Sequence, residues 1–396
     1  MNNIKREMKK INNEIDNRLA ENKENYYFQL NLFKEEFLVE ESYVKGGIGN
    51  KLKNLYDLKS DTETIFTTIE NKFIGGLAKS NISLNYDKFI NCSFKDIKFE
   101  NCTFYGTMFS SCDFKNVEFS NCLFFGSSGI LFISNCNFQN CSFNNCNMEN
   151  SLIRDSTLAN TKFVLSNLRN SIFTKVCLNQ ISIIDCDFRS LKIIDHNIKG
   201  FEFRDSFVTK FDEDTFISPI DLNQTKKEHL KDEFYERYFN FYKIISSKFA
   251  ENGLLDISGS YYYLSKSIER KVLKGITKIK SYIFWMLCGY GEKPTYALVT
   301  SLEIILIFTI IYMFAGLNIN GDIINYRLFI IKDLADKNLI LDFMKSLYFS
   351  IVTFTTVGYG DITPIGYSVI LSGIEMFLGV TMVGVWTATL ARKISR

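Results

Sequence analysis

The chain has 396 residues, 23% charged and 46% hydrophobic, with a formal net charge of +2, which is ample for two or three domains and too balanced for a nucleic-acid-binding surface. Two histidines and no recognisable catalytic constellation leave an enzyme without support, and no cofactor is expected. Three prolines against thirty-seven phenylalanines instead suggest a repeat that requires Phe at regular intervals. Met1 to Lys10 is polar and charged without an apolar core, so no cleaved signal peptide and a cytoplasmic N-terminus are expected. Residues 1–80 read as a partly helical cytoplasmic segment. In it Ile4, Met8, Ile11, Ile15 and Leu19 form one apolar stripe, which fits either a short coiled-coil seam or an amphipathic helix packed on the next domain. Tyr26 to Val44 is aromatic-rich and is broken by Gly46-Gly47-Ile48-Gly49.

Residues 81–210 have a period of five. Phe89, Phe94, Phe99, Phe104, Phe109, Phe114, Phe119 and Phe124 follow without a miss, and two positions before them stand mainly small residues, among them Cys92, Cys102, Thr107, Cys112 and Cys122. Period five suits neither a helix nor a flat strand; it suits square coils with one pentad per side, a large and a small residue pointing inward from each. The phase slips over Phe125 to Ile130 and resumes through Phe138, Phe143, Met148, Ile153, Leu158, Phe163, Leu168, Phe173, Leu178, Ile183 and Phe188. This pattern resembles the pentapeptide-repeat family, whose fold is a right-handed quadrilateral β-helix. The resemblance implies about five to six coils and a rod of about 25–30 Å. Leu191, His196 and Phe201 overfill the small position, so a distorted capping coil ending near Val208 is expected, with His196 hydrogen-bonded there rather than acting as a ligand. Nine of the ten cysteines fall in this region. In a reducing cytosol they read as small buried side chains, with Cys92 over Cys112 and Cys102 over Cys122 one coil apart. Some members of the family mimic DNA with an acidic rod, but acidic and basic residues nearly balance between Asn81 and Lys210.

Residues 211–292 read as a helical hairpin and an interfacial linker. Phe234, Tyr238, Phe241, Ile245 and Phe249 have helical spacing up to Gly253, and Tyr261, Leu264, Ile268 and Val272 mark a second helix. Lys274, Lys278 and Lys280 ahead of Tyr282 to Leu287 suit a segment at lipid-headgroup level, and Pro294 suits the start of a helix.

Residues 293–396 are expected to cross a membrane: an outer helix over 294–316, a half-membrane helix over 343–355 and an inner helix over 366–391. Basic residues from Arg270 to Lys280 and at Arg392, Lys393 and Arg396 place both ends in the cytoplasm, so Leu317 to Asp342 faces outward as a solvated loop. Glu303 and Glu375 are membrane carboxylates and functional candidates, facing either a water-filled cavity or a neighbouring helix.

Between the half-membrane and inner helices lies Thr355-Thr356-Val357-Gly358-Tyr359-Gly360-Asp361. Backbone carbonyls can all point to one side only if successive residues alternate their dihedrals, and Gly358 and Gly360 permit the positive φ values at little cost. Four such loops about an axis would stack rings of oxygens that replace the water shell of a monovalent cation.

These residues closely resemble the potassium channel signature. The likeness to a two-transmembrane potassium channel pore runs over about residues 294 to 396. It implies K+ coordination at Thr356, Val357, Gly358 and Tyr359, with 356–360 as the selectivity filter. It further implies filter support from Tyr348, Phe349, Thr355 and Asp361, and an inner-helix hinge at Gly379 or Gly384. Val352 departs from members that carry Glu there. With only two spans and no arginine ladder, voltage sensing is not expected, nor, with Arg396 the last residue, is a C-terminal nucleotide- or calcium-binding domain. The expectation is a homotetrameric potassium-selective channel of a prokaryotic plasma membrane, with a nonselective cation channel or a membrane-anchored pentapeptide-repeat scaffold as the alternatives, and with the N-terminal part serving either regulation by an unknown cytoplasmic protein or ligand or plain assembly.

Overall fold

The computed structural model describes residues 2–37, 63–76, 78–126, 129–220, 231–319, 321–326 and 339–395, in two units, Met1–Ile268 and Glu269–Arg396. The Gly-rich break at 46–49 and the stretch beyond Phe37 lie outside the described residues.

The first unit is a parallel β-solenoid. Along one face eight strands stack in order, and their inward residues form one ladder: Ile69, Phe89, Phe109, Ile133, Ile153, Phe173, Ile193 and Ile217. The coils therefore number about eight, not five to six, and begin at Glu63–Ile65 rather than near residue 81. The first coil places Ile69 and Ile74, not Phe, inside, so a reading keyed to Phe starts late. At about 4.8 Å per strand the rod is about 34 Å long. The phase slip is an insertion at one corner: partners are 20 residues apart at Phe89↔Phe109 and 24 apart at Phe109↔Ile133.

Inside, the rings lie flat on one another. Phe94 stacks on Phe114 at 4.6 Å and Phe114 on Phe138 at 4.4 Å, nearly parallel. The corners turn through positive φ, held mostly by Asn and Asp such as Asn91, Asn101, Asn121 and Asp155, residues whose short polar side chains tolerate that conformation. Those Asn side chains also bond from coil to coil, as Asn160 does to Asn140 at 3.0 Å. All ten cysteines are free thiols.

Helix α1 (Asn2–Phe37) settles the apolar stripe. Ile11 and Ile15 pack with Leu152, Ile172 and Ile194, outward-facing residues of one solenoid face, flanked by Met8 and Leu19. The stripe is thus a docked helix, not a coiled-coil seam. Glu14 links Arg18 at 2.7 Å and Lys192 at 2.5 Å, fixing the helix's position.

The C-terminal end is closed by two helices, α2 (Lys231–Glu251) and α3 (Leu255–Val272), the latter running into the second unit. The coil continues past Val208 to Phe216–Ile217, and the capping role falls to the hairpin. Tyr242 donates to the Ser218 carbonyl at 2.8 Å, and Tyr261 donates to the Ile217 carbonyl while accepting from its N–H. Open strand-edge groups are thereby paired beneath an apolar lid. His196 is buried, its Nε2 donating to the Ser218 carbonyl at 2.9 Å, and burial lowers its pKa to about 4.

One charge is misplaced for such a core. Asp87 occupies a small inward position at 0% exposure, accepting from Thr64 Oγ1 and, at 2.7 Å, from Thr67 N. Burial raises its pKa to about 7 despite those donors. The folded chain then holds the proton up to about pH 7, whereas the unfolded chain releases it near 3.8, so stability falls as pH rises through that window. Asp87→Asn is expected to gain on the parent across the same window, by at most about 4 kcal/mol, and to show no pH-dependent gain above it. Paired thermal melts of the two proteins from pH 4 to 8 check this.

Candidate functional site

In the second unit, helix α4 (Gly275–Cys288) leads through a turn at Gly289–Gly291 into α5 (Pro294–Ala315), with Pro294 in its first turn. α6 (Leu339–Phe354) and α7 (Ser368–Ile394) follow. α5 and α7 are long and apolar enough to cross a membrane. α6 starts four residues ahead of the expected 343, and α7 runs 368–394 against the expected 366–391. α4 leaves Ile276, Ile279, Ile283 and Phe284 exposed, while Arg270 lies over the rings of Tyr282 at 4.5 Å and Trp285 at 4.6 Å.

The expected outward loop is not simply solvated. Leu317–Ile319 pairs antiparallel with Asp322–Ile324 on one side and with Ile362–Pro364 on the other. This small sheet ties the end of α5 to the residues immediately after Asp361. Residues 327–338, where most of the loop's expected charges fall, lie outside the described residues.

Thr356 to Gly360 is held at both ends. Thr356 N donates to the Thr353 carbonyl and Val357 N to the Val352 carbonyl, both at 3.0 Å, so the segment springs directly from the last turn of α6. Positive φ then recurs at Thr356 (60°), Gly358 (59°) and Gly360 (78°), with Val357 and Tyr359 outside that region. Such alternation turns successive carbonyls the same way, and it begins at Thr356, two positions ahead of the first of the two glycines that announce it. Thr355 Oγ1 turns back to the Ile351 carbonyl at 2.7 Å. Within one chain the segment is bare: Val357 is 52% and Tyr359 71% exposed.

Behind it, Phe349 is buried and meets the Tyr312 ring edge-on at 4.9 Å, and the half-exposed Tyr348 lies beside Asp361. Val352 fills the position behind the segment with an apolar, buried side chain. The two membrane carboxylates separate: Glu303 is exposed on α5, whereas Glu375 is at 0% exposure and bonded to Tyr312 and Ser350.

The two inner-helix glycines separate as well. A Cβ at Gly379 would lie 1.9 Å from the Phe354 carbonyl oxygen, whereas nothing lies within 4 Å of one at Gly384. Gly379 is where α7 crosses the end of α6 at backbone contact. Gly379→Ala is expected to force the helices apart and cost roughly 1–3 kcal/mol. Gly384→Ala removes a flexible residue and is expected to be neutral or stabilising by about 1 kcal/mol. Thermal unfolding of both variants in detergent, followed by tryptophan fluorescence, checks the contrast.

Residues 299–396 match a family model described as ion channel. Residues 88–124, 133–170 and 153–189 match pentapeptide repeats, in eight copies. No curated protein matches the chain. Among solved structures, a trypsin-treated variant of QnrB1, a plasmid-mediated fluoroquinolone resistance protein, is similar at 17% identity and a TM-score of 0.24, covering 38% of this chain and 86% of that one. HetL, a pentapeptide-repeat protein involved in heterocyst differentiation regulation in the cyanobacterium Nostoc sp. strain PCC 7120, is similar at 9% identity and a TM-score of 0.21, covering 36% and 86%. The chain thus joins pentapeptide repeats folded as a β-solenoid to a C-terminal segment that matches an ion channel family model and contains two helices long and apolar enough to cross a membrane.

Proposed function

We propose that four copies of this chain form a potassium-selective channel in the plasma membrane, with residues 356–360 as the filter and K+ as the permeant ion. The observation that carries this reading is the alternation of positive φ at Thr356, Gly358 and Gly360 in a segment left bare by its own chain. Non-helical backbone at bilayer depth is tolerated only where protein buries it or water lines it. Further copies around an axis satisfy both conditions, and cyclic closure supplies the ring of carbonyls that a single loop lacks. The ion then exchanges its water shell for those oxygens, and repulsion between ions in adjacent sites drives conduction.

In this reading α6 directs its partially negative C-terminal end toward the cavity below the filter, favouring a cation there. The basic residues flanking α5 and α7 support a cytoplasmic side for both termini. Gly384, free of neighbours in its own chain, is the better hinge of the two candidates, because bending at Gly379 must first break its contact with Phe354.

A side chain at position 358 forces strain on a backbone that needs φ near 59°, about 1–2 kcal/mol per residue before any clash between copies. Gly358→Ala in proteoliposomes is therefore expected to abolish K+ flux while the assembly, measured by light scattering after size-exclusion chromatography, stays tetrameric. Undiminished flux overturns the filter; equal Na+ and K+ flux in the parent overturns selectivity.

We propose in addition that regulation enters through the solenoid. Deleting residues 1–268 removes the coils together with the hairpin that caps them, so no apolar lid is left exposed. The expected result is a channel that still conducts K+ with an altered open fraction in single-channel records; an unchanged open fraction removes the regulatory role.

A further inference from the structure

Glu375 is a carboxyl buried among the membrane helices, and its two oxygens reach two different elements. Tyr312 of α5 donates to Oε2 at 2.7 Å, and Ser350 of α6 hydrogen-bonds Oε1. Ser350 Oγ also lies 2.9 Å from the Ile305 carbonyl of α5. One side chain of α7 thus joins α5, α6 and α7.

The neighbouring turns make this a register. Glu375 and Gly379 are four residues apart on α7, and their contacts, Ser350 and Phe354, are four apart on α6. One turn of each helix therefore faces one turn of the other, a polar pin at one end and backbone contact at the other. Just beyond Phe354, the N–H groups of Thr356 and Val357 bond to carbonyls of that same last turn. Any slide or rotation of α6 is passed directly to the first residues of the filter.

We propose that Glu375 is a positioning residue for the filter: it fixes the depth and rotation of α6 against α5 and α7, and so holds residues 356–360 in the alternating conformation. This rests on the reading of 356–360 as the filter. The pin is polar because slippage would leave three buried polar groups unpaired, a penalty that an apolar contact at the same place would not impose. It leaves the lower part of α7, from Gly384 onward, outside the clamp.

Glutamine can replace Glu375 in this arrangement. Its Oε1 accepts from Tyr312, its Nε2 donates to Ser350 Oγ, and the Ser350 hydroxyl donates to the Ile305 carbonyl. Leucine fills the space and satisfies neither hydroxyl. Expected from planar-bilayer recordings is that E375L lowers the K+ over Na+ permeability ratio, or the fraction of current sustained after opening, about tenfold, the effect of one or two lost buried hydrogen bonds. E375Q is expected to stay within about twofold of the parent. Leucine and parent behaving alike, or glutamine as impaired as leucine, overturns the proposal. Tyr312→Phe and Ser350→Ala each remove one hydroxyl and carry the test should E375L fail to assemble: an effect of about threefold in the same readouts supports the pin, and no effect in both overturns it. Failure of the filter reading is separate, since it shows as a parent protein that does not select K+.

Discussion

A backbone amide inside a bilayer has no water to bond to, and every non-helical residue at that depth must find its partners in protein or around a captive ion. In the proposed channel residues 356–360 come under this constraint, and the contacts around them in the second unit are of the kind that meets it. The first two N–H groups of the segment turn back into α6, while its exit is stitched to the end of α5 through the strand Ile362–Pro364. Between those anchors the positive φ values at Thr356, Gly358 and Gly360 leave the carbonyls free to be aimed. A glycine in α7, which elsewhere lowers helix stability, is needed at 379 because the Phe354 carbonyl occupies the place of its Cβ.

The solenoid meets the same demand in water. Each coil bonds to the next along its length, so unpaired strand edges arise only at the two ends of the rod. At the C-terminal end the hydroxyls of Tyr238, Tyr242 and Tyr261 reach backbone groups of His196, Ile198, Ser218 and Ile217. Along one side α1 covers Leu152, Ile172 and Ile194, outward-facing residues that would otherwise form an apolar stripe on the surface.

Much of this was legible in the residues, for a definite reason: a period of five and the run Thr-Val-Gly-Tyr-Gly are local patterns whose geometry follows from backbone sterics alone. The coil count was not, because Ile69 and Ile74 serve as well as Phe inside the first coil. A usable signal was present in the Asn residues ahead of the small positions, among them Asn91, Asn101 and Asn121, which mark the corners by their positive φ. The destinations of the α1 stripe and of Glu375 depend on tertiary partners far along the chain, Leu152 and Ile172 in one case and Tyr312 and Ser350 in the other. Nothing within a few residues of either specifies them. Gly379 and Gly384 look equivalent in sequence, and only the approach of Phe354 distinguishes them.

A free hairpin would act as a hinge, but α2 and α3 are part of the solenoid's own core, with Tyr238, Tyr242 and Phe249 fully buried against it. The solenoid and most of the hairpin therefore share one packed core. Within the second unit, Arg270 sits over Tyr282 and Trp285 of α4. α4 bonds in turn to α5 through the Thr300 hydroxyl on the Met286 carbonyl at 2.8 Å. The turn between them carries Glu292, whose carboxylate is 4% exposed and pairs with Arg392 near the end of α7 at 2.9 Å. A buried carboxylate with a guanidinium partner resists separation far more than a surface pair does. The start of α5 and the end of α7 are thus coupled on the far side of Gly384 from Glu375, so the clamp at one end of α7 and the ion pair at the other leave Gly384 between two fixed points.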